Sequence, residues 1–525
     1  MWNKAIASFS RWMDGSLFFR AITACLNFLA RLCAGSYIAG WFTADYDEGA
    51  VTRSKAARLI DGVLNLPPKI KMPESWPRGL SKLANGSFLI RETCAALGVP
   101  VPEGATGGGS ALLPVIQWLV FAAPVAGLLV VNISAPFLPT MVLAAMLVAV
   151  ILFMFFTRRF VIDLTGAFVL IFILVTLFCG FTSFSPSTSV NIALLSAVLM
   201  FAFIAVLSCC YTRRQIELFS FSFITAAGGA GLYGLYQFFI LRTEDTTWVD
   251  VDVFSDISYR VYSTFENPNV YGVYLLLAIP LCAALFFYSR KPLLKLYSLG
   301  VGGLLALNLF LSYSRGCMLA LAFSAIVFVL LTDKRLIAFA PAAAAGAFFV
   351  LPASVVNRVI SIFDFNNPAV SDTSTEYRIS IWQSSIRIIK DFWLTGVGQG
   401  SEAYNKVFPV YAFNAVFAQH AHNVFLQIFV EMGVVGLFAF LAMLACFFRT
   451  MATLRRNARE ARDKIFASAM IAAVAGFLFQ GLFEHVFYNY RVMMIFYIFM
   501  GLGCAMARVA INKQTEASAS PGGAL

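Results

Sequence analysis

Apolar stretches of about 20 residues, long enough to cross a bilayer as a helix, recur along most of this chain. They lie near residues 111–132, 135–156, 160–179, 189–211, 218–240, 269–288, 295–313, 316–332, 336–353, 423–448, 465–483 and 492–510. Hydrophobic residues make up 60% of the sequence, against about 45 to 50% in soluble globular proteins. The sequence therefore predicts an all-α fold, a polytopic helical membrane protein with about 12 transmembrane helices.

The basic residues predict how these helices are oriented, because short cytoplasmic loops retain Lys and Arg. They occupy alternate loops, at Arg158-Arg159, Arg213-Arg214, Arg290-Lys291, Lys334-Arg335 and across 449–464. These loops, and with them both termini, are predicted to be cytoplasmic. The net charge of +11 is dispersed over the loops, so we expect contacts with membrane lipids and no nucleic-acid partner.

Residues 1–110 carry more charge than the rest of the chain and are predicted to form a cytoplasmic extension. Within it, residues 16–42 are apolar, but Arg20, Asn27 and Arg31 share one helical stripe. Such an amphipathic helix lies along the membrane surface without needing to cross it. A signal peptide is the alternative, although no cleavage site stands out.

The predicted membrane domain covers residues 111–512 and follows a flexible Gly-rich linker at 104–110. Residues 513–525 are predicted to form a disordered cytoplasmic tail. Spans nine and ten are separated by one long external loop, residues 354–422.

Within that external loop, residues 377–393 place Trp382, Ile386, Ile389 and Trp393 at helical spacing. The pattern predicts a helix at the outer membrane interface, where tryptophan is favoured. The glycines that follow, at 396, 398 and 400, indicate a turn rather than a phosphate-binding fingerprint, because no strand precedes them.

Polar side chains gather at the predicted external ends of the spans, although they are costly inside a membrane. They form helical stripes in spans seven, ten and eleven, namely Asn308, Ser312 and Arg315; Asn423, Gln427 and Glu431; and Gln480 and Glu484. On the same side, Arg260 lies in the loop before span six and Arg491 lies at the start of span twelve. Since arginine binds phosphate bidentately, these residues predict a site for an anionic lipid headgroup. Alternatively, each arginine only reaches towards the interface.

The chain has three histidines, and two of them occur in the tetrapeptide His420-Ala421-His422-Asn423. An imidazole with a pKa of about 6.5 exchanges a proton near neutral pH, so this segment is a candidate for acid–base chemistry. A helix-capping or interfacial role for His422 is the alternative. Glu431 falls on the opposite side of the predicted helix, and we expect it to pair with a neighbouring helix instead.

Metal chemistry has weak support in the sequence. The ten cysteines lie in apolar spans or the cytoplasmic segment and form no Cys-x-x-Cys pair, so neither disulfides nor a zinc or redox site is expected. Asp250 and Asp252 have a spacing seen in metal-dependent glycosyltransferases and suit Mg²⁺ or Mn²⁺. Their acidic neighbours indicate a solvated loop, and we predict no bound metal and no cofactor.

Several motifs together resemble the O-antigen ligase and Wzy-type polymerase superfamily. They are the segment 260–269, Ser314-Arg315-Gly316, Arg378 followed by Trp382, the segment 420–427, and Glu431-Met432-Gly433. The resemblance extends over about residues 111–510, and it implies a GT-C-like fold.

The resemblance implies a metal-independent glycosyltransferase in the bacterial cytoplasmic (inner) membrane. Such an enzyme takes a glycan from undecaprenyl diphosphate at the outer face and passes it to a hydroxyl of a glycan or lipid acceptor. By this analogy Arg260 and Arg315 hold the donor diphosphate, and His422 is the general base; His420 either replaces or tunes it. Substrate-binding roles are expected for Arg378, His420, Asn423 and Arg491.

Two alternatives stay open at this stage. The His-x-His-Asn motif favours a ligase slightly over a polymerase, which uses a second lipid-linked repeat unit as its acceptor. A polysaccharide or lipid-linked glycan transporter also fits twelve spans, but transporters place their polar sites near the bilayer midplane in repeated halves. No internal repeat is evident in this chain.

Overall fold

A computed structural model describes residues 161–210, 212–241, 259–333, 353–360, 373–413 and 417–519, together with the single positions 148 and 346. The predicted extension (1–110), the spans near 111–132, 135–156 and 336–353, and the Asp250 and Asp252 pair lie outside the described residues, apart from positions 148, 346 and 353. The prediction of twelve spans is therefore tested only in part.

The described part of the chain is helical and contains no strand. Its helices are α1 (Leu164–Phe181), α2 (Pro186–Met200), α3 (Ala202–Cys209), α4 (Arg213–Tyr236), α5 (Pro268–Tyr288), α6 (Pro292–Leu311), α7 (Arg315–Thr332), α8 (Ala353–Ile360), α9 (Thr373–Phe392), α10 (Ser401–Tyr411), α11 (Val424–Asn457), α12 (Ala461–Gln480) and α13 (Tyr490–Ala519). The last helix extends past residue 512, where the tail is predicted to begin.

Nine helical segments among the described residues are long and apolar enough to cross a membrane. They are Leu164–Phe181, Pro186–Cys209, Arg213–Leu241, Pro268–Tyr288, Pro292–Leu311, Arg315–Thr332, Val424–Asn457, Ala461–Gln480 and Tyr490–Ile511. Each of these segments coincides with a predicted span, and most of their ends agree with the predicted ends to within a few residues. Helix α11 continues furthest beyond its predicted end. The chain is a polytopic helical membrane protein.

Helix starts follow from local capping chemistry, because the first backbone N–H groups of a helix lack partners within it. Asp163 accepts a hydrogen bond from Gly166 N before α1, and Thr212 forms a capping box with Gln215 before α4. Asn267 caps α5 in the same way, with Pro268 at its first position.

Burial distinguishes central from peripheral helices. In the most apolar 18-residue segment of α5, 78% of the residues are buried inside the protein, and in α13 the share is 83%. The corresponding shares in α6 and α7 are 22% and 28%, so most of their surface is available to lipid. Stacked aromatic rings fill the centre, including Phe477 against Phe496 with centroids 4.5 Å apart.

Helix α11 is interrupted at Gly433, whose φ of 62° and ψ of −166° are not helical. The segment between α9 and α10 packs against this interruption. There, Val397 N donates to Val430 O at 2.8 Å, and Val434 N donates to Trp393 O at 2.7 Å. A helix break inside a membrane needs such partners, because lipid cannot satisfy the freed backbone groups.

Helix α9 confirms the helix predicted for residues 377–393. Ile381 and Ile388 are buried against a small apolar cluster, whereas Ile386 and Trp393 of the predicted stripe are about half exposed, at 46% and 53%. Trp382 and Ile389 of the same stripe are half-buried, and Ile389 packs against that cluster. Two residues of the stripe therefore face outwards and two are partly covered by the protein.

Replacing Gly433 by alanine is expected to destabilise the protein by about 1–3 kcal/mol, since an L residue is strained at a positive φ. An added Cβ would also lie 2.3 Å from Leu394 O. Gly303→Ala is the matched control, because nothing lies within 4 Å of a Cβ built there. Thermal unfolding in detergent measures both. Equal melting temperatures for the two variants would show that the break is not strained.

Candidate functional site

A cavity of about 770 Å³ lies at the end of the bundle where α11 begins and α12 ends. Four of the residues predicted to be catalytic or substrate-binding line it, namely Arg260, Arg378, His420 and His422. Glu484 and His485, from the connection between α12 and α13, complete this part of the wall. Side chains from segments far apart in sequence thus meet in one place.

A short polar contact in this region joins His422 to Glu484. The imidazole Nδ1 lies 2.8 Å from Glu484 Oε1, and the Glu484 side chain is 4% exposed. An ionised carboxylate accepts a hydrogen bond, so Nδ1 carries the proton and Nε2 of a neutral His422 has a free lone pair. Glu484 therefore sets the tautomer and the orientation of His422.

Glu484 is held as an anion by its surroundings. Asn269 Nδ2 donates to Oε2 at 3.3 Å, and the Arg378 guanidinium lies 3.9 Å from the same oxygen. Burial raises the pKa of Glu484, but the hydrogen bond from His422 and the charges of the histidines and Arg378 outweigh it and lower the pKa to about 2. The group is ionised at any physiological pH.

Guanidinium groups form the positive part of the site. Arg260 donates from Nε to Ser312 O at 2.8 Å and from its terminal nitrogen to Asn269 Oδ1 at 3.0 Å. Burial, together with the like charges of Arg378 and Arg315, lowers the pKa of Arg260 to about 10. Three half-buried cations held near one another are suited to an anionic ligand with several oxygens.

His420 differs from His422 in its environment. Its ring stacks on Tyr488 with centroids 5.2 Å apart, and its Nδ1 accepts a hydrogen bond from His422 N at 3.3 Å. Burial and the neighbouring His422 lower its pKa to about 4. His420 is therefore neutral at pH 7 and packs beside the His422 and Glu484 pair.

The backbone at His422 is strained. Its φ of 45° lies in the left-handed region, which a residue with a side chain adopts rarely. Asn423 follows directly and caps α11, accepting from Phe425 N and Leu426 N, while its Nδ2 donates to Leu482 O at 2.9 Å. These contacts fix the segment in the conformation that points His422 towards Glu484.

Three predicted residues are not on the cavity wall. Arg315 begins α7 beside the cavity, close enough for its charge to lower the pKa of Arg260. Asn423 caps α11, as described. Arg491 is buried, donates to Thr264 O at 2.9 Å and lies over the Phe265 ring.

The sequence marked Glu484 as a polar residue of span eleven but did not predict its role beside His422. Glu484 follows Gln480 by four residues, so the two are predicted to share a polar stripe at the external end of span eleven. This pattern does not predict which side chain Glu484 contacts. The structure brings it to His422 because Val424 N donates to Gly481 O at 2.7 Å. The start of α11 is thereby joined to the end of α12.

The expectation that Glu431 pairs with a neighbouring helix holds in part. Its Oε1 accepts from Gly400 N, the N-cap of α10, at 3.0 Å, and also from Gln427 Nε2 of its own helix at 2.9 Å. The reason is the break at Gly433, which brings the segment before α10 next to this turn of α11. Glu431 lines the same cavity.

One group of side chains in the described residues has a geometry that can bind a metal ion. His420, His422 and Glu484 each offer a ligand atom, and these atoms lie within 4.8 Å of one another. Two imidazoles and a carboxylate match a zinc ligand set. The predicted metal independence therefore needs a direct test.

The pKa of His420 predicts how stability depends on pH. Between about pH 4 and pH 6.5 the unfolded chain binds a proton on this residue that the folded protein does not. The stabilisation is therefore complete above pH 6.5 and is lost as the pH falls towards 4. We expect the melting temperature in detergent to fall from pH 7 to pH 5, and to fall less in His420→Gln.

Burial also lowers the pKa of His485, which is still present in that variant. Part of the pH dependence is therefore expected to remain. An equal fall in wild type and His420→Gln would contradict the assigned state of His420.

Comparison with known proteins identifies part of the chain. Residues 300–441 match a family model described as O-antigen ligase, which confirms the resemblance noted in the sequence. The matched segment contains Arg315, Arg378, His420 and His422 but ends before Glu484. No curated protein matches the chain.

Proposed function

We propose that this protein, whose residues 300–441 form an O-antigen ligase family domain, is a membrane glycosyltransferase that uses undecaprenyl-diphosphate-linked glycan as its donor. The acceptor is a hydroxyl group of a glycan or a lipid. The observation that carries the proposal is one cavity lined by the His422 and Glu484 pair together with Arg260 and Arg378. A base and an anion site adjacent to each other are what such a transfer needs.

His422 is the proposed general base. Nε2 takes the proton of the acceptor hydroxyl while the acceptor oxygen forms a bond to the anomeric carbon of the donor glycan. Glu484, bonded to Nδ1 at 2.8 Å, holds the ring in the required tautomer and stabilises the imidazolium that forms. A positioned base contributes roughly 10²- to 10⁴-fold to the rate.

The arginines are the proposed stabilisers of the leaving group. As the bond from the anomeric carbon to the phosphate oxygen breaks, its electron pair passes to the departing lipid diphosphate. Arg260 and Arg378 line the cavity, and Arg315 adds positive charge from its edge. Guanidinium groups already in place lower the barrier without reorganisation at the moment of reaction. Asn423 and Arg491 act by positioning the surrounding segments.

The basic residues support placing the reaction at the outer face of the bacterial cytoplasmic membrane. Arg213 begins α4, Arg455 and Arg456 end α11, and Arg462 begins α12. All are at the ends of these helices opposite the cavity, the side that the distribution of Lys and Arg predicts to be cytoplasmic. Both termini are accordingly proposed to be cytoplasmic.

The same chemistry serves a ligase and a polymerase, which differ in the acceptor. The first experiment incubates purified full-length protein in detergent with undecaprenyl-diphosphate-linked oligosaccharide and EDTA. Wild type is expected to release undecaprenyl diphosphate and transfer the glycan. His422→Ala should lower turnover by roughly 10²- to 10⁴-fold, and Arg260→Gln or Arg315→Ala should slow release of the diphosphate.

Arg387→Gln is the matched arginine control, because Arg387 lies on α9 over the Phe413 ring and does not line the cavity. Full turnover in folded His422→Ala would refute the assigned base. Loss of wild-type activity in EDTA, restored by zinc, would assign the histidines to a metal instead. The acceptor that consumes the glycan separates ligase from polymerase.

Glu484→Gln tests the orienting role. The amide keeps the size of the side chain and an oxygen for Asn269, but it removes the negative charge beside His422. We expect kcat to fall by about 10²- to 10⁴-fold with little change in the KM for donor. A large rise in KM with normal kcat would show that Glu484 positions Arg378 for donor binding instead.

A further inference from the structure

A second polar region of the cavity lies away from the arginines and surrounds Glu431. This residue is eight positions after Asn423, the cap of α11, which places it about 12 Å further along the helix axis. The mechanism above does not use it. Glu431 is nevertheless on the cavity wall and 7% exposed.

The two oxygens of Glu431 have different surroundings. Oε1 accepts hydrogen bonds from Gln427 Nε2 and from Gly400 N. Among the described residues, no donor is found for Oε2 and no cation pairs with the carboxylate. A buried carboxylate is costly unless its acceptor sites are filled, so this oxygen is suited to a donor that enters the cavity.

The neighbouring wall combines small polar groups with aromatic rings. It includes Thr176, Ser196, Gln399, Ser401, Tyr490 and Tyr497. A phosphate is disfavoured next to the carboxylate, and a lipid chain cannot donate a hydrogen bond to it. A sugar ring offers hydroxyl donors together with an apolar face that packs on aromatic rings.

We propose that Glu431 binds a hydroxyl group of a sugar residue in the glycan substrate through Oε2. The carboxyl oxygen accepts a hydrogen bond from the hydroxyl and fixes the saccharide in the deep part of the cavity, while the diphosphate binds at the arginines. This inference rests on the proposed function. The sugar belongs either to the donor or to the acceptor saccharide, which share this chemistry.

Glu431→Gln tests the inference with little change of shape. The amide oxygen keeps the contacts with Gln427 and Gly400, and the amide nitrogen replaces Oε2, so an acceptor facing the cavity becomes a donor. Binding is measured with undecaprenyl diphosphate and with undecaprenyl-diphosphate-linked oligosaccharide, and KM is measured for the acceptor. Glu402→Gln, an exposed residue on α10 outside the cavity lining, is the matched control.

We expect Glu431→Gln to weaken the binding of one saccharide-bearing substrate by about 10- to 100-fold. The affinity for undecaprenyl diphosphate should not change. If the variant binds the lipid-linked oligosaccharide more weakly, the sugar at Glu431 belongs to the donor. If the KM for the acceptor rises instead, the sugar belongs to the acceptor. Arg260→Gln, in contrast, should weaken the binding of both undecaprenyl diphosphate and the undecaprenyl-diphosphate-linked oligosaccharide.

Two outcomes would overturn the inference. If folded Glu431→Gln matches Glu402→Gln for every substrate, Glu431 does not bind sugar, while the loss caused by Arg260→Gln still supports the proposed function. If Glu431→Gln weakens the binding of undecaprenyl diphosphate itself to the same extent, the residue acts on the shape of the whole cavity. Failure of wild type to bind either donor probe would instead refute the proposed function.

Discussion

The hydrogen bond between His422 and Glu484 depends on how the membrane helices are connected. It needs the start of α11 and the end of α12 at the same depth, and the bond from Val424 N to Gly481 O fixes that relation. Asn423 strengthens it by capping α11 and donating to Leu482 O. The strained φ at His422 is tolerated because the contacts on both sides determine the backbone.

Electrostatics explains why a single carboxylate at this position matters. Arg260, Arg378 and Arg315 repel one another, and burial of Arg260 adds to the cost, as its lowered pKa indicates. Glu484 offsets part of this repulsion from within the protein. Three guanidinium groups beside one carboxylate favour an anionic ligand at this end of the cavity.

Hydropathy predicted the nine described spans well because a bilayer requires contiguous apolar length, which is a local property of sequence. Arg260, Arg378 and the histidine pair were also predictable, since rare or costly residues stand out in apolar surroundings. The partner of His422 was not, because helical spacing relates Glu484 to Gln480 and says nothing about α11. Gly433 likewise looks like any glycine in an apolar run, and its positive φ follows from a segment forty residues earlier packing against it.

That packing also explains the internal arrangement of the cavity. A continuous α11 would satisfy the carbonyl groups of Val430 and Glu431 within the helix and leave no place for the segment before α10. The break instead lets Val397 N and Gly398 N donate to these carbonyls, which brings Gly400 N to the Glu431 side chain. The same backbone irregularity thus places the Glu431 carboxyl group deep in the cavity, while the start of α11 places His422 near the arginines. Guanidinium groups at one depth and a carboxyl group at the other would orient a ligand that is anionic at one end and carries hydroxyl groups at the other.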